Sequence, residues 1–192
     1  MNVKEAIKTR RSVRTYSDTP VSEEDLVDIL ECGCCAPSAV NLQPWFFVAI
    51  RTPEQMKRLC AVMGQVSEKL IPTLESQFSK HPEVVQETTA FIRKLGGAPV
   101  CLLVFQEKPE YTKTANSIAQ SVAAAIENIL LAAWEKNIAS CWLTAPLEAG
   151  MDEELRRAFA PEHGALMAVV TLGYTTAEPK APRRKEGRYV LV

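Results

Sequence analysis

Four short apolar runs, set apart by long stretches of helical periodicity, constrain the fold of this chain more than any other feature. Each run is bounded by polar or turn-forming residues, which is typical of a buried β-strand. The runs predict strands at residues 45–50, 100–105, 138–143 and 165–172. No internal repeat, low-complexity tract or linker interrupts the 192 residues, so the pattern predicts one domain over residues 1–192.

The segments between these runs carry the apolar spacing of helices. Ser22 is a favoured N-cap residue, and the three acids after it suit the first turn of a helix that ends before Pro37. Residues 65–96 are helical in period, with breaks expected at Pro72 and Pro82. Further helices are predicted at residues 53–63, 114–136 and 152–159.

Composition and charge exclude several classes of protein. The formal net charge is −1, so no overall attraction to nucleic acid or to an anionic membrane is expected. The N-terminus has no apolar run typical of a signal peptide, and no stretch of eighteen uncharged apolar residues predicts a membrane span. We therefore expect a cytoplasmic protein.

The cysteines and histidines offer little for metal or triad chemistry. The six cysteines are not spaced like a secreted disulfide framework, which indicates reduced thiols. The cluster Cys32-Gly33-Cys34-Cys35 lacks the paired spacing of a zinc or iron–sulfur site, and cysteine is also a common small core residue. His81 and His163 both lie beside turn or helix-breaking residues. We expect no metal site, and any enzyme chemistry then falls to a cofactor.

The opening helix leads into a cluster of basic residues. Val3, Ala6 and Ile7 share one face of a helix predicted over residues 2–11, and Arg10 continues that inward face. A basic side chain on such a face is costly unless it meets an anion or a carboxylate. The basic segment (residues 10–14) therefore either binds a phosphate or forms a solvated basic turn, and its candidate ligands are Arg10, Arg11, Ser12 and Arg14.

A loop bounded by two prolines follows the second predicted helix. This proline-bounded loop (residues 37–44) places uncharged donors and acceptors on a stiff backbone, which suits the edge of a planar heterocycle. The alternative is a turn whose side chains satisfy only its own backbone. Its candidate residues are Pro37, Ser38, Asn41 and Gln43.

The tail is rich in proline and basic residues. Arg183 and Arg184 could complete a phosphate site, although such a tail can equally be a solubilising end. The last residues, 189–192, are apolar and are a candidate for an added edge strand.

Together these motifs resemble the FMN-dependent nitroreductase family. An R-R-S-x-R segment near the N-terminus is followed some two dozen residues later by A-P-S-x-x-N-x-Q-P-W. The long alanine-rich helix, the Ser140-Cys141-Trp142-Leu143 strand and the Leu172-Gly173-Tyr174 ending follow in the same order. The resemblance thus covers essentially the whole chain.

The resemblance implies an α+β fold and a shared cofactor site. The fold is a three-layer sandwich, a mixed but mainly antiparallel sheet flanked by helices, in an intertwined homodimer with exchanged C-terminal tails. Arg10, Ser12 and Arg14, with Arg11 in the same segment, are expected to hold the phosphate and pyrimidine edge of FMN. Ser38 and Asn41, in one loop with Pro37 and Gln43, would approach from the partner subunit. Further contacts are expected from Thr144, Pro146, and Arg183 or Arg184.

The resemblance also implies the activity. FMN would carry electrons from NADH or NADPH to small organic acceptors such as nitroaromatics or quinones by a ping-pong mechanism, with no catalytic side chain and with Arg14 tuning the flavin. Residues 65–97 correspond to a variable lid or substrate region, with Phe78, Phe91 and Tyr111 as candidate lid aromatics. Two alternatives stay open: a relative that dehalogenates aromatics or fragments flavin, and a flavin-binding protein without turnover.

Overall fold

One antiparallel sheet lies at the centre of the structure, a computed structural model that describes residues 1–107 and 115–192. Its strands are β1 (Trp45–Ile50), β2 (Val100–Gln106), β3 (Ala139–Leu143) and β4 (Leu166–Gly173), in the order β1-β2-β4-β3. Each matches a predicted apolar run to within one residue at either end. All three strand pairings are antiparallel, and the parallel pairing among the described residues is a single bridge between Ser12 and Ser140.

Two helical layers cover the two faces of the sheet, which makes a three-layer α+β sandwich. Along β2, Cys101, Leu103 and Phe105 point to one face, while the residues between them point to the other. The helices are α1 (Val3–Thr9), α2 (Glu23–Cys34), α3 (Pro53–Gln77), α4 (Pro82–Lys94), α5 (Ala115–Glu135), α6 (Ala145–Glu148) and α7 (Asp152–Phe159). Helices α3, α4 and α7 pack on the first face and α2 and α5 on the second.

Two helices begin at the residues that the sequence predicts. The Ser22 hydroxyl accepts a hydrogen bond from the Asp25 N–H at 3.0 Å, as expected of an N-cap. Pro82 is the first residue of α4, where its missing N–H would have no helical partner anyway.

The predicted break at Pro72 is wrong. Helix α3 continues through this proline to Gln77. Proline in a helix removes one hydrogen bond, but α3 packs along α4 over much of its length and buries Val66 and Leu70. Tertiary packing therefore outweighs the local cost, since most helical stability comes from the buried face.

The two chain ends also differ from expectation. Only Ala6 of the predicted inward face is buried, while Val3 is 72% exposed, because α1 is short and meets the body of the protein mainly along α5. The tail beyond Tyr174 forms no strand among the described residues. Tyr189 is 87% exposed and Leu191 is 90% exposed, so the predicted edge strand is not formed within one chain.

Helix α5 is long and apolar enough to cross a membrane by length and hydropathy alone. Its buried side chains, among them Val122, Ile126 and Ile129, pack between α2 and the sheet. The packing of a central core helix therefore accounts for its apolar composition.

Candidate functional site

The basic segment leaves the end of α1 and runs beside β3. The Val13 N–H donates to the Ser140 carbonyl at 2.9 Å, which fixes the segment to the edge of the sheet. Val13 is buried, while Ser12 and Arg14 on either side of it are exposed. The alternation of a strand therefore turns both candidate ligands outward from the core.

Three of the predicted ligands act together on one buried thiol. Burial raises the pKa of Cys141, whereas the positive charges of Arg14 and Arg10 and a hydrogen bond from Ser12 oppose this rise. The two guanidiniums and the hydroxyl thus act electrostatically on a residue of β3. The parallel bridge between Ser12 and Ser140 places the segment that carries them along this strand.

Arg10 and Arg11 both contact other groups of the same chain. Arg10 Nε lies 3.8 Å from a carboxylate oxygen of Glu127 on α5, and this ion pair offsets the predicted free-energy cost of an inward-facing charge. Arg11 Nη1 donates to the carbonyls of Lys8 at 2.9 Å and of Arg10 at 2.7 Å. Arg11 therefore closes the C-terminal end of α1 in this conformation.

Arg14 borders a large cleft beside the basic segment. Its guanidinium carbon lies 5.9 Å from the centre of the Phe91 ring, within the range of a cation–π contact. The Arg14 cleft has a volume of about 970 Å³, which is large enough for a planar cofactor together with a small molecule. Its wall includes Phe78, which directly follows α3, Phe91 and Lys94 of α4, and Gly97 of the turn after α4.

A glycine turn fits closely against the backbone of Arg14. Residues 95–97 form a tight turn, with Gly96 at φ +64° and Gly97 at φ +76°. A Cβ on Gly96 would lie 2.3 Å from the Arg14 carbonyl oxygen, a distance that real structures do not tolerate. Gly96 is therefore required both by its left-handed backbone and by this close approach.

Tyr16 joins the basic segment to the sheet, a contact that the local sequence pattern did not predict. Its hydroxyl donates to the Val13 carbonyl at 2.7 Å and also lies 2.7 Å from the Thr171 hydroxyl on β4. Burial raises the pKa of Tyr16 well above its usual range. An aromatic residue inside an otherwise polar stretch was the available signal, because such a side chain is usually buried.

The proline-bounded loop is ordered by its own side chains. The Ser38 hydroxyl accepts from the Gln43 N–H at 3.0 Å, and the Gln43 amide donates to the Asn41 side-chain oxygen at 3.1 Å. Val40, Asn41 and Gln43 all have positive φ, which is unusual for residues other than glycine. Such strain clusters at functional sites, while the bonds are those expected of a self-satisfied turn, so the geometry fits both readings.

Within one chain, this loop and Arg14 line separate cavities. Pro37 and Ser38 line a cleft of about 340 Å³ beside α5, which shares no lining residue with the Arg14 cleft. The Ala39 N–H donates to the Ser121 hydroxyl at 3.1 Å and ties the loop to that helix. The structure therefore does not bring the two predicted motifs together in a single chain.

The remaining predicted ligands lie after β3 and in the tail. Thr144 precedes α6, where its hydroxyl donates to Glu148 at 2.8 Å, and Pro146 is buried. Arg183 and Arg184 are exposed in the extended tail. Tyr111, one of the three candidate lid aromatics, lies outside the described residues.

The histidines are bound in local contacts. His81 Nδ1 lies 3.1 Å from Glu83, and the His163 ring stacks on Phe46 with centroids 3.5 Å apart while its Nδ1 hydrogen bonds to Glu107. Within residues 1–107 and 115–192, no three histidine, cysteine, aspartate or glutamate side chains are grouped to hold a metal ion.

Comparison with known proteins places the chain among flavin enzymes. The family model described as the Nitroreductase family matches residues 7–174. A relative from Methanothermobacter thermautotrophicus, which carries the name NADH dehydrogenase/NAD(P)H nitroreductase as a provisional assignment, is 33% identical over 93% of this chain and 80% of its own length. An iodotyrosine deiodinase from Thermotoga neapolitana is 31% identical over 93% of this chain and 91% of its own.

A solved structure extends the likeness to the whole fold. The crystal structure of a nitroreductase with bound FMN from Bacteroides fragilis is 29% identical, with a TM-score of 0.74. The superposition covers 100% of this chain and 99% of that one.

Proposed function

Since this chain belongs to the nitroreductase family, we propose that it is an FMN-dependent oxidoreductase that transfers electrons from NADH or NADPH to small organic acceptors such as nitroaromatics or quinones. The position of the basic segment along β3, where Ser12 bridges Ser140 and the Val13 N–H donates to the Ser140 carbonyl at 2.9 Å, carries this proposal. When bound, FMN supplies the redox chemistry of a ping-pong cycle, so no acidic or basic side chain is required for the transfer.

The residues beside β3 fit such a cofactor. Guanidinium groups form strong, directional hydrogen bonds with phosphate oxygens and with the polar edge of a heterocycle. In our proposal Arg10 and Ser12 bind the phosphate end, and Arg14 places positive charge beside the pyrimidine edge, where it favours the reduced, anionic cofactor. Thr144 directly follows β3, the strand of Cys141, and Pro146 lies in α6 just beyond it, so their backbone would flank the ring.

The test of this assignment compares two arginines. Arg14→Ala should weaken FMN binding by about tenfold or more, because a hydrogen bond to a charged group contributes about 1.5–3 kcal/mol. Arg51→Ala is the matched control, since Arg51 forms only an exposed ion pair with Glu23 at 2.8 Å. Fluorescence titration with FMN measures the FMN affinity of both variants. Equal affinity and equal flavin potential in the two variants would refute the role of Arg14.

The acceptor side of the Arg14 cleft is formed by α4 and by the residue that follows α3. We propose that residues 65–97 select the acceptor, within a single domain that spans residues 1–192, because Phe78 after α3 and Lys94 on α4 line the cleft. Phe78→Ala should change the ratio of kcat/KM between a nitroaromatic and a quinone while leaving FMN affinity unchanged. A parallel loss for both acceptors would contradict this part of the proposal.

We also propose a homodimer with exchanged tails. The tail leaves the body after Tyr174 and ends in exposed apolar residues, while β1 pairs with β2 alone among the described residues. A partner's tail can satisfy the open edge of β1, and its Arg183 or Arg184 and the partner's proline-bounded loop would complete the site. Removal of residues 177–192 should lower both the mass measured by sedimentation equilibrium and FMN retention. A truncated chain that remains a flavin-loaded dimer would contradict tail exchange.

Reductive dehalogenation is the second candidate, because a relative of 31% identity is an iodotyrosine deiodinase. Incubation with dithionite and a halogenated phenol, followed by measurement of free halide, separates the two candidates. Release of halide from the phenol at a rate above the rate of nitroaromatic reduction would favour dehalogenation. A protein that binds flavin without turnover would show no acceptor-dependent oxidation of NAD(P)H.

The cytoplasmic location belongs to the same proposal and is supported by the free state of all six cysteines.

A further inference from the structure

Three cysteines gather at the end of α2. The helix ends at Cys34, and Cys35 is the first residue beyond it. The Cys35 N–H is shared between the Glu31 carbonyl at 3.1 Å and the Cys32 carbonyl at 3.2 Å, as is common at the end of a helix. Cys34 and Cys35 are exposed and Cys32 is half-buried.

Two of these thiols face the same groove. Cys32 and Cys35 both line an apolar groove of about 390 Å³ between α1, α2 and α5, whereas Cys34 does not. Residues three apart are neighbours on a helix surface, and residues one or two apart point away from each other. Burial and the charge of Asp28 raise the pKa of the Cys32 thiol, and the nearby Cys35 thiol adds to this rise. The geometry that relates the two thiols is the groove that they share.

The backbone geometry permits a bond between them. Residues three apart on a helix have Cβ atoms about 5–6 Å apart. A disulfide requires about 3.5–4.5 Å, so the two Cβ atoms must approach by about 0.5–2.5 Å. Because Cys35 is the first residue beyond α2, this movement is confined to the last turn, which the Cys35 N–H closes by its bond to the Glu31 carbonyl. A disulfide closed under such strain is readily reduced.

We propose that Cys32 and Cys35 form a reversible disulfide by exchange with a small-molecule disulfide. The exposed Cys35 thiolate attacks one sulfur of the reagent and expels the other as a thiol. Cys32 then attacks the mixed disulfide, forms the Cys32–Cys35 bond and expels the second thiol. Overall, the two cysteines lose two protons and two electrons, and the reagent disulfide becomes two thiols. Neither cysteine is among the residues proposed above to bind FMN.

The experiment uses the full-length protein with its bound cofactor, treated with oxidised glutathione. The protein is then denatured, its remaining thiols are alkylated, and its mass is measured intact and after digestion. We expect the unaltered chain and Cys34→Ser to take up two fewer alkyl groups than their untreated counterparts and to hold no glutathione. Reduction with dithiothreitol should restore both alkylation sites.

Two further variants test which pair forms. Cys32→Ser should keep glutathione attached to Cys35, because the resolving thiol is gone, and Cys35→Ser should form no internal disulfide. Full alkylation of oxidised Cys34→Ser, or a stable glutathione adduct on it, would overturn the proposal. So would loss of two alkyl groups in Cys35→Ser, since that result would pair Cys32 with Cys34.

Discussion

Substitution of Gly96 tests whether the turn after α4 positions Arg14. Gly96 and Gly150 both have left-handed backbones, with φ +64° and +61°, but only Gly96 meets other atoms at close range. A Cβ on Gly96 would lie 2.3 Å from the Arg14 carbonyl oxygen, whereas a Cβ on Gly150 would meet nothing within 4 Å. The two alanine variants therefore share the backbone cost and differ in the contact.

The magnitudes follow from these two terms. Alanine in the left-handed region costs about 1–2 kcal/mol of folding free energy, and both variants lose this amount of stability. The clash with Arg14 adds about 1–3 kcal/mol, because the obstructing atom belongs to the backbone and cannot rotate away. We expect the free energy of unfolding to fall by about 1–2 kcal/mol in Gly150→Ala and by about 2–5 kcal/mol in Gly96→Ala.

Urea unfolding followed by circular dichroism measures both changes, and FMN titration measures the functional effect. Only Gly96→Ala should weaken FMN binding, because relief of the clash moves the Arg14 backbone and with it the guanidinium. If both variants lose equal stability, or if Gly96→Ala retains full FMN affinity, the turn does not position Arg14.

Three further outcomes follow from the packing and charges. Gly33→Ala should lower the free energy of unfolding, because its Cβ would lie 2.6 Å from Ile129 Cγ1. Gly64→Ala, whose Cβ would meet no atom within 4 Å, should raise the free energy of unfolding by about 0.5–1 kcal/mol in the same urea assay. Hydrogen bonds from Arg156 hold the pKa of Glu153 at about 2, so this carboxylate stabilises the fold above its ordinary pKa and loses that effect as pH falls toward 2. Between about pH 5 and pH 3, Tm should therefore fall more steeply in the unaltered protein than in Glu153→Gln. Tyr16→Phe removes the hydrogen bond to the basic segment and should cost about 1–3 kcal/mol of stability, with weaker FMN binding in the titration.

Local patterns predicted the strands well, for a physical reason. A buried strand needs a continuous apolar run, and such runs end where polar residues begin, so the bounds of β1 and β2 could be predicted to within one residue. Arg10, Ser12 and Arg14 are neighbours in sequence, so all three come close to the sheet once their segment lies along β3. Their role in a cofactor site stays a prediction.

Contacts between distant parts of the chain could not be predicted in the same way. The approach of Gly96 to Arg14 and the bond between Tyr16 and Thr171 join residues far apart in sequence, and no local spacing specifies them. The continuation of α3 through Pro72 depends likewise on its packing against α4. In our proposal the basic segment and the proline-bounded loop meet only across two chains, which sequence spacing does not specify.

The absorption spectrum of the purified protein, recorded before and after addition of NADH or NADPH without air, tests the central proposal most directly. Flavin bands that bleach on addition of the nicotinamide are the predicted result, and they would show cofactor and donor together. A protein that shows no flavin bands, even after reconstitution with FMN, would contradict the proposed function.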